Sequence, residues 1–405
     1  MSESSKIKEE WVRRPLRDVV DFHPGYAFPD AEQGHRDEDF PFYKVGDMSR
    51  PENGRFLTVA GNYVSEQIAK RYGWKPCPPG SVAFAKVGAA LLMNRRRIID
   101  RWSLIDNNML AVVGRHDIHD DYLYHAMQAV DFSNFVQDGV VPSVNQSQIG
   151  DVRIWVPPIP EQCGIAEVLD TADEAIRSIE RFIAKLNQVK QGLLHDLLAP
   201  GTDLPTWQSL PLSACVSAPI TYGIVQAGPH VEGGVPYIRT GDMSGNRLDR
   251  ETLLCTSKQI ASSYARSTVH KGDIVCAIRA TVGRVLIVPE DLEGANLTQG
   301  TARISPGSGI DSAYLLWALR GESVQRQFSL AVKGTTFSEI TLAQLREIRV
   351  PIPQTIDEQR AIAVRIAAAD DEIAQETLYL SKLCLLKRGM MDDLLTGRVR
   401  VGASA

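Results

Sequence analysis

Val152-Arg153-Ile154-Trp155-Val156-Pro157-Pro158-Ile159-Pro160-Glu161-Gln162 reads as an apolar strand end stopped by prolines, with a long polar-apolar segment immediately behind it. In that segment Ile165, Leu169, Ala172, Ile176, Ile179, Ile183, Leu186, Val189 and Leu193 recur three and four residues apart. This is the rhythm of a coiled-coil seam with a charged outer face. The passage returns as Ile348-Arg349-Val350-Pro351-Ile352-Pro353, followed by Ile362, Ile366, Ala369, Ile373, Leu380, Leu383 and Met390, with Thr377 and Lys387 interrupting it. Pro200-Gly201 and Gly397 supply the stops. One such helix would leave its seam wet and needs a partner. The economical partner is the other copy, laid antiparallel, which places a globular domain at each end of a rod of ~38 residues, roughly 57 Å. The alternative is two independent helices, each packed on its own domain.

Working outward, the rest of the chain also repeats, at a period of about 195 residues. Phe42-Tyr43-Lys44-Val45-Gly46-Asp47-Met48-Ser49 reappears as Tyr237-Ile238-Arg239-Thr240-Gly241-Asp242-Met243-Ser244. Pro79 to Lys86 answers to Lys271 to Arg279, and Asp121 to Ala126 answers to Ser312 to Ala318. Both helices end alike, in His195-Asp196-Leu197-Leu198 and Asp392-Asp393-Leu394-Leu395. Ser81–Phe84 and Asp273–Ile278 read as strands after Gly turns, Leu110–Val113 is another apolar run, and Tyr122–Phe135 and Tyr314–Phe328 have helical spacing. The expected fold is α+β: two β-rich domains and two long helices forming an antiparallel coiled coil, related by a pseudo-two-fold internal repeat. The expected boundaries are 1–156 and 201–350 for the β-rich domains, and 157–200 and 351–405 for the helices.

With 405 residues, 44% of them apolar, several packed domains are attainable. The N-terminus is polar, no run approaches a membrane span, and the six cysteines contain no C-x-x-C pair. A cytoplasmic protein without membrane, disulfide framework or metal site is expected. The net charge of -5 is unevenly spread. Residues 161–199 hold seven acidic and four basic side chains and residues 354–396 hold eight and five, so each segment carries -3 and the remainder +1. That permits phosphate contact outside the helices.

A β-rich domain, a Pro-Pro-x-x-Glu-Gln signature (Pro157 to Gln162) opening a long helix, and then the whole again resembles the specificity subunit of type I restriction-modification systems. The second signature, Pro351 to Gln359, is longer by a few residues before Glu-Gln. The resemblance runs from Trp11 and its counterpart Trp207 to Val401. It implies that each β-rich domain is a target recognition domain reading one half of a split, asymmetric site in double-stranded DNA. The seam residues (Ile165, Leu169, Ile176, Ile179, Ile183, Leu186, Ile362, Ile366, Ile373, Leu380, Leu383) would form a ruler that fixes the gap and docks two methyltransferase subunits, which restriction/translocase subunits join. The chain itself would catalyse nothing and bind no cofactor, with S-adenosylmethionine, ATP and Mg belonging to partners. The residues agree: Pro157-Pro158 lacks the preceding Asn or Asp of an amino-methyltransferase, and no phosphate-binding G-x-x-x-x-G-K-[ST] is present.

For DNA contact the basic candidates are Lys86, Arg95, Arg96, Arg97 and Arg101 in the first copy and Arg279 and Arg284, with Thr281, in the second. Lys86-Val87-Gly88 is matched to the Arg279–Arg284 turn, whose small residues allow close backbone approach to phosphate. A second set lies before the last strand: Ser143 and Asn145, and Lys333, Thr335 and Thr336. Helix capping by Ser147 and Thr341 is the competing role for these loops. Gly46-Asp47 and Gly241-Asp242 read as structural turns, and no histidine is assigned to chemistry. The rival function is a scaffold of two protein-binding domains on a coiled-coil spacer.

Overall fold

The computed structural model describes residues 11–135, 141–198, 207–332 and 338–401. The chain forms two compact units, Met1–Ile179 with Tyr379–Ala405, and Glu180–Leu378. Mixed sheets and helices build both.

In the first unit a five-stranded sheet runs in the order Val20–Pro24, Met109–Gly114, Val82–Ala85, Arg97–Ile99, Phe56–Leu57. Beside it Phe40–Tyr43 pairs antiparallel with Asn62–Val64 and parallel with Leu104–Ile105. The second unit repeats the scheme. Its four-stranded sheet is Thr221–Tyr222, Thr301–Ile304, Ile274–Ala277, Val285–Ile287, and Val235–Ile238 pairs antiparallel with Leu254–Thr256 and parallel with Asn296–Leu297. Each unit closes on an antiparallel ribbon of its first and last strands, Val12–Pro15 on Arg153–Val156 and Gln208–Pro211 on Arg349–Ile352. Gly80 precedes the strand Val82–Ala85 at φ +84, where a Cβ would also strike the Asp120 carboxylate at 2.3 Å, so only glycine fits that turn. The helical spacing after Asp121 resolves into a helix at Asp120–Gln128 and a 3-10 turn at Phe132–Phe135. Its counterpart breaks at Gly321 into Ser312–Arg320 and Glu322–Ala331.

The long helices span Ile159–Leu198 (40 residues) and Ile356–Leu394 (39 residues), about 60 Å each. Their Glu-Gln starts are built alike. Gln162 Nε2 donates to the carbonyls of Pro157 (2.8 Å) and Asp117 (2.9 Å), and its Oε1 accepts from His119 N. Gln359 Nε2 donates to Pro353 and Gly309, and its Oε1 accepts from Asp311 N. Trp11 Nε1 donates to Glu161 and Trp207 Nε1 to Glu358, each at 2.9 Å. The longer second signature therefore changes nothing in the junction it makes.

Within each unit the helix segments run antiparallel. In the first, Lys387 bonds Asp173, Leu394 and Leu395 share a core with Ile165 and Leu169, and Arg400 reaches Glu161. In the second, Lys190 bonds Asp370, and Leu198 shares a core with Ile362 and Ile366. Ile165, Leu169, Ile362 and Ile366 are fully buried there, whereas Ile176, Ile179, Ile183, Leu186, Ile373, Leu380 and Leu383 are half-buried, as a seam covered by one partner helix must be. Two sequence expectations are corrected. Val189 is 51% exposed and Lys190 takes its seam place, one residue on. Lys387 does not interrupt the seam, because Asp173 receives its ammonium, while Thr377 turns outward and Glu376 is half-buried instead. The Pro200-Gly201 stop lies outside the described residues; Gly397, at φ +70, packs on the Trp11 ring. Among the described residues no helix is long and apolar enough to cross a membrane.

Candidate nucleic-acid interface

The two sets of loop candidates, far apart in sequence, are joined in both units. Val87 bridges Ser143, Gly88 N donates to Pro142 O (2.7 Å) and Val144 N donates to Lys86 O (2.9 Å). In the second unit Arg279 bridges Glu339, Ala280 N donates to Ser338 O (2.9 Å) and Ile340 N donates to Ile278 O (3.0 Å). The result in each is one ridge made of a turn and the loop before a short helix, Gln146–Asp151 in the first unit and Leu342–Glu347 in the second.

These hydrogen bonds also fix the equivalences, and they move the sequence match by one residue. Val87, not Lys86, stands where Arg279 stands; Lys86 corresponds to the buried Ile278. A one-residue shift on an extended chain exchanges faces, so the basic residue of the turn is not repeated. What is repeated is the left-handed residue after it, Gly88 at φ 75 and Ala280 at φ 60. A non-glycine residue held there is strained.

The candidates separate by environment. Arg96 is only 1% exposed. Its guanidinium lies 3.7 Å from the centre of the Phe132 ring and donates to Val130 O at 2.6 Å, and burial pushes its pKa down to about 9. Its DNA role is withdrawn, because a group sealed beneath Phe132 cannot reach a phosphate. Arg97 is half-buried, donates to Asn53 O and Arg96 O, and is also lowered by burial. Arg95 reaches Ser49 Oγ at the surface. Arg101 is exposed over Tyr63, beside the 54% exposed Trp102. The backbone bonds Gly80 N to Ile99 O and Cys77 N to Ser103 O put that turn at the end of the Val82–Ala85 strand opposite Lys86, so Arg101 does not join the ridge. Arg279 forks onto Glu339 Oε1 (3.0 and 2.9 Å), with both side chains roughly half exposed. Arg284 donates to the carbonyls of Ser244 and Gly245, and Thr281 is exposed. Lys333, Thr335 and Thr336 lie outside the described residues.

Asn145, not Ser147, caps the helix Gln146–Asp151, in a reciprocal box with Gln148, and stays exposed beside Ser143. Thr341 caps Leu342–Glu347 as expected. The Gly-Asp pairs are structural: Asp47 accepts from Lys44 N and Arg50, and Asp242 from Arg239 N and its guanidinium. Sequence reasoning missed Glu339, the acid that neutralises the ridge arginine, although it stands one residue past the loop it examined for bases. It also missed His125, buried with Nε2 2.6 Å from Asp170. His125, Asp170 and Asp173 are close enough to share a cation, but Arg55 on Asp170 and Lys387 on Asp173 already supply positive charge.

Comparison with known proteins converges on one family. The model for the type I restriction modification DNA specificity domain matches residues 8–190 and 228–380. The EcoBI type I restriction enzyme specificity subunit of Escherichia coli is 25% identical over 428 residues, covering 97% of this chain and 87% of the relative. The MjaVIII specificity subunit of Methanocaldococcus jannaschii is 25% identical over 433 residues, covering 95% and 98%. The crystal structure of the type I restriction-modification S subunit from M. genitalium superposes with a TM-score of 0.58 at 13% identity, over 95% of this chain and 96% of that one. A chain from a type I system studied for complex assembly and conformational transition gives the same score at 17% identity, over 95% and 97%.

Proposed function

The chain belongs to the type I restriction modification DNA specificity family, and on that premise we propose that it reads a bipartite, asymmetric DNA site, one half per unit. The observation that carries this is one ridge built twice with different side chains. The backbone pairing around Gly88 and Ala280 is the same, yet Val87, Ser143 and Asn145 line one copy and Arg279, Thr281 and Glu339 the other. Phosphate contacts hold a reader in place, and base edges are distinguished by the donors and acceptors it presents. Two different sets on one scaffold suit two different half-sites.

The paired long helices set the unread gap in this reading. Tyr379, Leu385 and Leu386 in the first unit, and Phe182 and Leu378 in the second, are exposed on the helices away from the seam, and each apolar patch suits docking of a methyltransferase subunit, which restriction subunits then join. The chain performs no chemistry, and S-adenosylmethionine, ATP and Mg serve those partners. The test is to sequence methylated positions in DNA from a host expressing this chain with its methyltransferase partner. A two-part motif with a constant gap is expected; methylation at an undivided motif, or none that depends on this chain, would refute the assignment.

A further inference from the structure

We propose that two Asp–Lys pairs in the helix seam, Asp173 with Lys387 and Asp370 with Lys190, are positioning residues that fix the register of the long helices. In consequence they also fix the gap of the bipartite site, a step that rests on the function proposed above. In the first unit Lys387 Nζ lies 2.6 Å from Asp173 Oδ1, with the side chains 13% and 14% exposed. In the second, Lys190 bonds Asp370 with side chains 18% and 23% exposed. These are one pair written twice, since Asp370 and Lys387 stand 197 residues after Asp173 and Lys190. Each lysine also touches the β-rich body of its unit: Lys387 donates to Gln128 (3.1 Å), and Lys190 lies 5.3 Å from the Trp317 ring centre.

An aliphatic seam tolerates slippage, because every heptad offers another Ile or Leu. The pairs do not. Slipping the antiparallel helices by one heptad of about seven residues in one direction would set Asp173 against Leu380 and Asp370 against Ile183. The opposite slip would set them against Leu394 and Leu197. Either way two shielded carboxylates meet aliphatic side chains and lose their ammonium partners, which is strongly unfavourable. Asp173 Oδ2 is shielded without a hydrogen bond. A pair with one oxygen unsatisfied is a poor device for stability and a good one for choosing among registers.

The test uses the full chain co-expressed with its methyltransferase partner, as wild type, Asp173→Lys, Lys387→Asp and the double reversal. Thermal unfolding and the spacing of methylated positions in host DNA are both measured. Each single reversal is expected to lower the melting temperature by on the order of 5 °C and to shift or broaden the gap, and the double reversal to restore both. Where a single reversal does not accumulate, Asp173→Asn replaces it, with a smaller loss expected. Single variants that melt and methylate like wild type, or a double reversal no better than the singles, would overturn the proposal. If wild type yields no two-part motif, the functional reading fails instead, and the melting series alone decides the register claim.

Discussion

Arg95, Arg96 and Arg97 are indistinguishable as letters, yet they have three environments. Arg95 stays at the surface, Arg97 caps backbone carbonyls, and Arg96 is sealed over a ring that lies far along the chain. Basic character was legible in the sequence; direction was not, because Phe132 and Val130 decide it. Arg96→Ala should therefore destabilise the first unit by about 2–3 kcal/mol in denaturant unfolding while leaving the salt dependence of DNA binding unchanged. The opposite pattern would return Arg96 to the interface. Arg279 and Glu339 predict a contrasting pair of results. Arg279→Ala should weaken binding and make the slope of log affinity against log salt shallower by about 0.9, the value of one phosphate contact. Glu339→Gln, which frees the guanidinium, should tighten binding and not impair assembly. DNA titrations over a salt series check both, and a Glu339→Gln chain that binds more weakly would remove the ridge from the DNA surface.

Among elements, the long helices were the most legible part, because a seam is written within a few residues of itself. Their polar members were not. Lys387 looked like a flaw because its acid lies 214 positions away. Glu-Gln was legible as a signature but not as a mechanism. The glutamine amide ties the strand-end carbonyl, the helix start and the loop before the short helix into one junction, so Gln162→Ala or Gln359→Ala strands several buried polar groups. A loss of about 2–4 kcal/mol is expected in unfolding titrations, and a near-neutral effect would mean that water replaces the amide. Leu395 belongs to the first unit's core although it stands just past the end of the second long helix. Leu395→Ala should cost about 2–5 kcal/mol, seen as earlier unfolding of the first unit.

For the whole molecule, the repeat made the two-copy plan readable, but not that the first unit is assembled from two stretches of chain far apart in sequence while the second is continuous. Each long helix gives its first half to one unit and its second half to the other. Arg400 lies over the Trp11 ring and forks onto Glu161, and Leu394 and Leu395 join the same core. A chain ending at Leu378 lacks all three. Limited proteolysis of that truncation should digest Trp11–Ile179 early while Trp207–Leu378 persists; equal resistance of both would show that the first unit is complete without its distant segment.

The same borrowing imposes an order on synthesis. A ribosome adding about 5–20 residues per second needs roughly 10–40 seconds to make the stretch between Ile179 and Tyr379. During that time the amino-terminal body emerges with Ile165 and Leu169 uncovered, waiting for Leu394 and Leu395. Residues translated long afterwards finish the first body begun, so a nascent chain of this protein carries an open apolar face until Leu394 and Leu395 emerge and depends on whatever holdase shelters it until then.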